Sequence, residues 1–60
     1  METHAYKLGY KNGFEIGCYE GSKTIPEKLY ESLLKAYGQH FVEDYVKGYS
    51  LGYKEGYWNG

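Results

Sequence analysis

Two stretches of this chain repeat one four-residue unit: an aromatic residue, two variable residues, then glycine. The first runs Tyr6-Lys7-Leu8-Gly9, Tyr10-Lys11-Asn12-Gly13, Phe14-Glu15-Ile16-Gly17, with Gly21 one step further on. The second runs Tyr45-Val46-Lys47-Gly48, Tyr49-Ser50-Leu51-Gly52, Tyr53-Lys54-Glu55-Gly56, Tyr57-Trp58-Asn59-Gly60, so that eight of the nine glycines fall on the unit. Inside a helix each glycine costs about 1 kcal/mol relative to alanine, or roughly 3 to 4 kcal/mol for a helix holding three or four of them. A short isolated helix does not carry that load. A row of glycines offsets it only by removing side chains and letting a neighbouring backbone or flat ring come close. The expectation is that rings of one helix lie in the glycine groove of another, with tyrosine hydroxyls at the rim.

A helix is not the only way to read residues 5 to 20. Lys11-Asn12-Gly13 between two aromatic runs resembles a hairpin turn. A two-residue Asn-Gly turn would set Tyr10 against Glu15 and Lys11 against Phe14, mixing apolar and polar faces. A three-residue loop with a glycine bulge aligns Tyr10 with Phe14 and Leu8 with Ile16, and so stays as an alternative. A helix accounts for more: residues four apart drift by about 40° per step, and each glycine and its aromatic partner share one broad side of the wheel. The second stretch has no room for a returning strand after Gly56.

Ordinary helix signals occupy the middle of the chain. Thr24-Ile25-Pro26-Glu27 has the form of a capping box, with Pro26 in the first turn where a missing N–H costs nothing. Leu29, Tyr30, Leu33, Leu34, Ala36 and Tyr37 keep the helical period, and Gly38 follows as a left-handed stop. Gly21-Ser22-Lys23 reads as a linker. The fold expected is all-α, a small three-helix chain of the helical-hairpin type, with helices near 3–20, 25–37 and 40–57 in one domain spanning 1–60. A single bent helix running through Gly38 is the alternative for the last two.

With 60 residues, a chain buries too small a share of its surface to be comfortably stable alone. Cys18 is the only cysteine and could pair only between chains. Nine tyrosines, as many as the Leu, Ile and Val residues together, mean a core built partly from rings whose hydroxyls need partners. Self-association is therefore expected, as a homodimer or higher oligomer. The first and third helices could instead meet side by side within one chain, and both arrangements could coexist. The homodimer is favoured because a glycine-tyrosine face that drifts around the helix is wide for one neighbour.

Repeated Gly-x-x-x helices resemble the Gly-x-x-x repeat domain of the eukaryotic adaptor proteins that help pass iron-sulphur clusters to clients. The matching positions are Gly9, Gly13, Gly17 and Gly21, then Gly48, Gly52, Gly56 and Gly60, about half the chain. The chain has no cysteine cluster and a different middle helix, so the resemblance implies a packing style and a non-catalytic adaptor role. Small phage-encoded inhibitors of bacterial defence systems are similar in size, with no shared motif.

Charge and side-chain chemistry narrow the functions further. Seven lysines, no arginine and eight carboxylates, net −1, carry no basic cluster for a phosphate backbone. Met1-Glu2-Thr3-His4 is no basic leader, and no apolar run reaches membrane-spanning length. A soluble cytoplasmic protein with a reduced thiol is expected, acting on neither nucleic acid nor membrane. Nothing in the spacing sets Cys18 beside His4 or His40 as nucleophile and base. His4 and His40 with Glu2, Glu43 or Asp44 lack convincing metal-ligand spacing, and no cofactor or metal is expected. The phosphate-loop strand, lysine and hydroxyl are missing, while Glu27, Lys28, Glu31 and Lys35 form an ordinary solvated helix face.

The candidate residues are thus of two kinds. Gly9, Gly13, Gly17, Gly48, Gly52 and Gly56 with Tyr6, Tyr10, Phe14, Tyr45, Tyr49 and Tyr53 are expected to serve helix packing and self-association. Tyr57 and Trp58, near the chain end, are expected to touch a partner. The function expected is that of a non-enzymatic interaction module, an inhibitor or adaptor of a larger protein. The alternative is a nucleotide or sugar binder with a tyrosine-lined pocket.

Overall fold

A computed structural model describes residues 3–19 and 25–59, the last by its backbone only. The described chain forms three helices: α1 (His4–Cys18), α2 (Glu27–Tyr37) and α3 (Gln39–Asn59). Asn12 and Gly13 lie inside α1, so the hairpin alternative is not what this segment adopts. Gly21, Gly60, the expected linker Gly21-Ser22-Lys23 and Thr24, expected to cap the middle helix, lie outside the described residues. Pro26 stands just before α2, at the N-cap with φ −56 and ψ 140, rather than within the first turn. Its extended backbone suits the entry to a helix, because the following N–H groups, not its own, need acceptors.

α2 and α3 are two helices, not one bent helix. Gly38 separates them with φ 92 and ψ 174, a conformation that side chains strain to adopt and glycine adopts freely. Its N–H donates to the Leu34 carbonyl at 3.0 Å, and its own carbonyl accepts from the Val42 N–H at 3.3 Å. One residue thus closes the last turn of α2 and opens the first turn of α3.

Thr3 begins α1. Its hydroxyl accepts from the Tyr6 N–H at 3.1 Å and donates to the Asp44 carboxylate of α3 at 3.0 Å. This one side chain caps a helix and ties it to its neighbour.

α1 and α3 form the body of the molecule. Gly9, Gly13 and Gly17 abut the backbone carbonyls of Tyr45, Tyr49 and Tyr53, while Gly48, Gly52 and Gly56 abut those of Tyr6, Tyr10 and Phe14. Both sets of contacts advance together along the two helices, so α1 and α3 run parallel. A Cβ added at any of the six would overlap a carbonyl oxygen and stand 2.8 Å (Gly13 to Tyr49) to 3.1 Å (Gly17 to Tyr53) from the carbonyl carbon. The hydrogen that glycine carries in that direction points at the oxygen. Such Cα–H···O contacts contribute about 0.5–1 kcal/mol each, the same order as the helix-propensity cost of the glycine that permits them. The expectation of rings lying in the glycine groove is corrected here. A ring is thicker than the gap that mutual glycines leave, and backbone fills it instead.

These contacts share a hidden regularity. Gly9 and Gly48, Gly13 and Gly52, and Gly17 and Gly56 are each separated by 39 positions, as are Tyr6 and Tyr45. Every glycine–carbonyl contact of α1 on α3 maps onto one of α3 on α1 under that shift. The pair is related to itself by an approximate two-fold axis along the helices.

α2 packs on α3 and makes no close backbone approach to α1. Ile25, Leu33 and Phe41 rest against the cluster of Ala5, Tyr45 and Tyr49. The Cα frame measures 31 × 27 × 10 Å, thinner than two stacked helices, whose axes alone stand about 8–10 Å apart and whose Cα cylinders add about 4.6 Å. The three helices therefore form one layer. Ala5, Val42, Tyr45 and Tyr49 are the buried apolar residues, and α2 contains no buried residue.

Candidate functional site

Four residues per step on two parallel helices produce two broad faces, one on each side of the glycine contact line. On the face beside α2, α3 presents the rings of Tyr45, Tyr49 and Tyr53, and α1 presents Leu8, Asn12 and Ile16. On the far face, α1 presents Tyr6, Tyr10 and Phe14, and α3 presents Lys47, Leu51 and Glu55. One hydrogen bond crosses the line on each face. The Asn12 amide donates to the Tyr45 hydroxyl at 2.7 Å, and the Tyr10 hydroxyl donates to the Glu55 carboxylate.

Rings stack from the end of α2 into α3. Tyr37 meets Phe41 at 4.3 Å between centroids, Phe41 meets Tyr45 at 6.4 Å, and Tyr45 meets Tyr49 at 6.3 Å. Tyr53 and Tyr57 stack at 6.3 Å. Burial, then the nearby Tyr45 and Tyr53 hydroxyls, pushes the Tyr49 hydroxyl above its ordinary pKa.

Several clefts open among the described residues. One of about 270 Å³ lies between the start of α2 and the helix pair, lined by Asn12, Glu15, Ile16, Pro26, Leu29, Tyr45 and Tyr49. Another of about 510 Å³ lies at the end of α3, among Ser50, Tyr53, Lys54, Tyr57 and Trp58. On the far face a third, of about 320 Å³, is lined by Tyr6, Lys7, Tyr10, Leu51 and Glu55.

The structure brings the six glycines and their aromatic partners together within one chain. The glycine rows are thereby filled, and a second copy would have to meet a surface other than those rows. Tyr57 and Trp58 are 56 % and 78 % exposed, and both line the cleft at the end of α3. Cys18 is half-buried with a free thiol. His4 and His40 are exposed near the starts of parallel helices, and Cys18 closes α1 about 20 Å away by helix rise. Among the described residues no cluster of three or more His, Cys, Asp or Glu side chains forms, and no helix is long and apolar enough to cross a membrane. Glu27, Lys28, Glu31 and Lys35 are all exposed.

Spacing alone does not expose Asn12 as a partner of Tyr45, because Asn12 reads first as a turn residue. Its place four before Ile16 and four after Leu8 is the available signal. No protein-family model, curated protein or solved structure matches the chain.

Proposed function

We propose that the chain is a non-enzymatic, self-associating interaction module that acts by occupying a surface of a larger protein, as an inhibitor or adaptor. One observation carries this reading: four apolar residues are buried, while ten large apolar side chains of the described chain are exposed, Leu29, Tyr30, Leu34, Tyr37 and Trp58 among them. Stable domains enclose a core between at least two layers, and apolar surface left open marks an interaction site. The Gly-x-x-x adaptor resemblance points the same way, since that packing style builds a scaffold and holds no reactive centre.

Tyr57 and Trp58 are the residues assigned to the larger partner, because large rings at a helix end bury much area at small entropic cost. A tagged chain used as bait in native lysate tests this. The Tyr57→Ala, Trp58→Ala double variant should lose the captured protein with its helical circular dichroism unchanged. Capture that survives the double variant would remove the assignment.

The cleft at the end of α3 favours a second reading, a small ligand held on the Tyr53–Tyr57 stack with Ser50 and Lys54 as polar handles. A nucleotide and sugar panel in a thermal-shift assay separates the two readings, because a true ligand raises the melting point.

A further inference from the structure

We propose that a second copy of this chain docks on the face carrying Leu8, Ile16, Leu29 and Tyr53, forming a two-fold, face-to-face dimer that completes a two-layer helical core. This rests on the self-association part of the proposed function and assigns its surface.

Area comes first. Standard protein interfaces bury about 800 Å² per partner, and the broad side of this one-layer molecule spans 31 × 27 Å. Covering that side supplies an interface of ordinary size. The sides of the body are narrow by comparison, at 10 Å.

Charge decides which broad side. Interface centres are depleted of charged residues. Beside α2 the helix pair sets Leu8, Asn12 and Ile16 alongside the tyrosine stack, Asn12 is already bonded to Tyr45, and Glu15 is the one charged residue lining the cleft there, against Lys7 and Glu55 in the far-face cleft. At the positions related by the 39-residue shift, the far face has Lys47, Leu51 and Glu55. Bringing two far faces together would desolvate these charges. Bringing two α2-side faces together covers Leu8 and Ile16, which are 36 % and 37 % exposed, and Leu29, which is 40 % exposed.

Shape agrees with that choice. The cleft of about 270 Å³ between the start of α2 and the helix pair is walled by Ile16, Pro26 and Leu29 together with Glu15. An isologous dimer offers the same projecting and receding surface on both copies, so each copy can fill the other's cleft.

Sedimentation and light scattering across a dilution series test the assignment with four proteins. The unaltered chain should run at twice its 7.0 kDa mass. Leu8→Glu and Ile16→Glu should each weaken self-association at least tenfold, and Leu51→Glu on the far face should change it less than twofold. If Leu51→Glu separates the copies and Leu8→Glu does not, the face assignment is overturned. If the unaltered chain runs at 7.0 kDa at every concentration, the self-association reading itself fails.

A gentler probe covers the case in which a buried glutamate prevents folding. In a Cys18→Ser background, Ile16→Cys should cross-link into a covalent dimer with a short bis-maleimide, while Lys47→Cys should not. Equal or reversed cross-linking overturns the proposal.

Discussion

Tyr45 and Tyr49 on one face of the helix pair are 2 % and 4 % exposed, while Tyr6 and Tyr10, their counterparts on the other face, are only half-buried. The two pairs occupy equivalent places in the same glycine-tyrosine scaffold. What differs is α2, which is tethered by one residue and reaches one face only. Burial of a ring here is therefore not a property of the repeat. It follows from what packs beside the repeat: α2 flanks α3 on the side of Tyr45 and Tyr49, and Tyr6 and Tyr10 on the far face lack that neighbour. The polar partners follow the same division: a neutral amide serves the covered tyrosine, and a carboxylate serves the open one.

The contact line is common to both faces, so its loss should have the largest effect. Gly52→Ala places a methyl group against the Tyr10 carbonyl, where backbone cannot give way. Overpacking of this kind costs typically 1–3 kcal/mol, more against backbone, and exceeds the roughly 1 kcal/mol alanine returns in helix propensity. Thermal melting followed by circular dichroism should show lost or much-lowered cooperativity. A melting point raised by Gly52→Ala would mean that the two helices do not meet along this line.

Next in size is the amide. Asn12→Ala leaves the buried Tyr45 hydroxyl without its donor, a change worth about 1–3 kcal/mol. Leu51→Asn at the related site of the far face should alter stability by no more than about 0.5 kcal/mol, as surface substitutions do. Equal effects in denaturant titrations would mean that the two faces are equally covered.

Gly38 controls which face α2 reaches. Gly38→Ala meets open space but a strained φ, and should cost about 1 kcal/mol. It also removes the stop between α2 and α3, so helical signal should fall little while Tyr45 and Tyr49 become more accessible to iodination.

The smallest effect is on pH. Tyr49 has its hydroxyl pKa raised above 10.0 in the fold, so the folded chain holds that proton more tightly than the unfolded one. The associated stability is fully present below pH 10 and is lost as pH rises from there through the folded value. Tyr49→Phe should flatten this alkaline decline in melting temperature.

The helices themselves are legible from spacing because a period of four leaves glycine and aromatic on one broad side of a helix. The stop at Gly38 is legible for the same local reason, the φ that only glycine takes without strain. Which helices pair is not written in any single stretch. It rests on the 39-residue correspondence between Gly9 and Gly48 and on contacts between Tyr45 and Gly9 that exist only once both helices are laid together. The bonding of Asn12 and the one-sided cover by α2 belong to that same tertiary level. So does the replacement of rings by carbonyl groups in the groove, since ring thickness matters only when two backbones compete for the same space.

A parallel pair also has an electrical consequence. Peptide dipoles leave about half a positive charge at a helix N-terminus and half a negative charge at its C-terminus, and parallel helices lay like poles side by side. At the starting end the Asp44 carboxylate, held by Thr3 at 3.0 Å, places negative charge at the positive pole of α1. The opposite end, where Tyr57 and Trp58 stand, gathers the negative poles of both α1 and α3. A partner arriving there meets two such poles, and cationic groups on it gain from both.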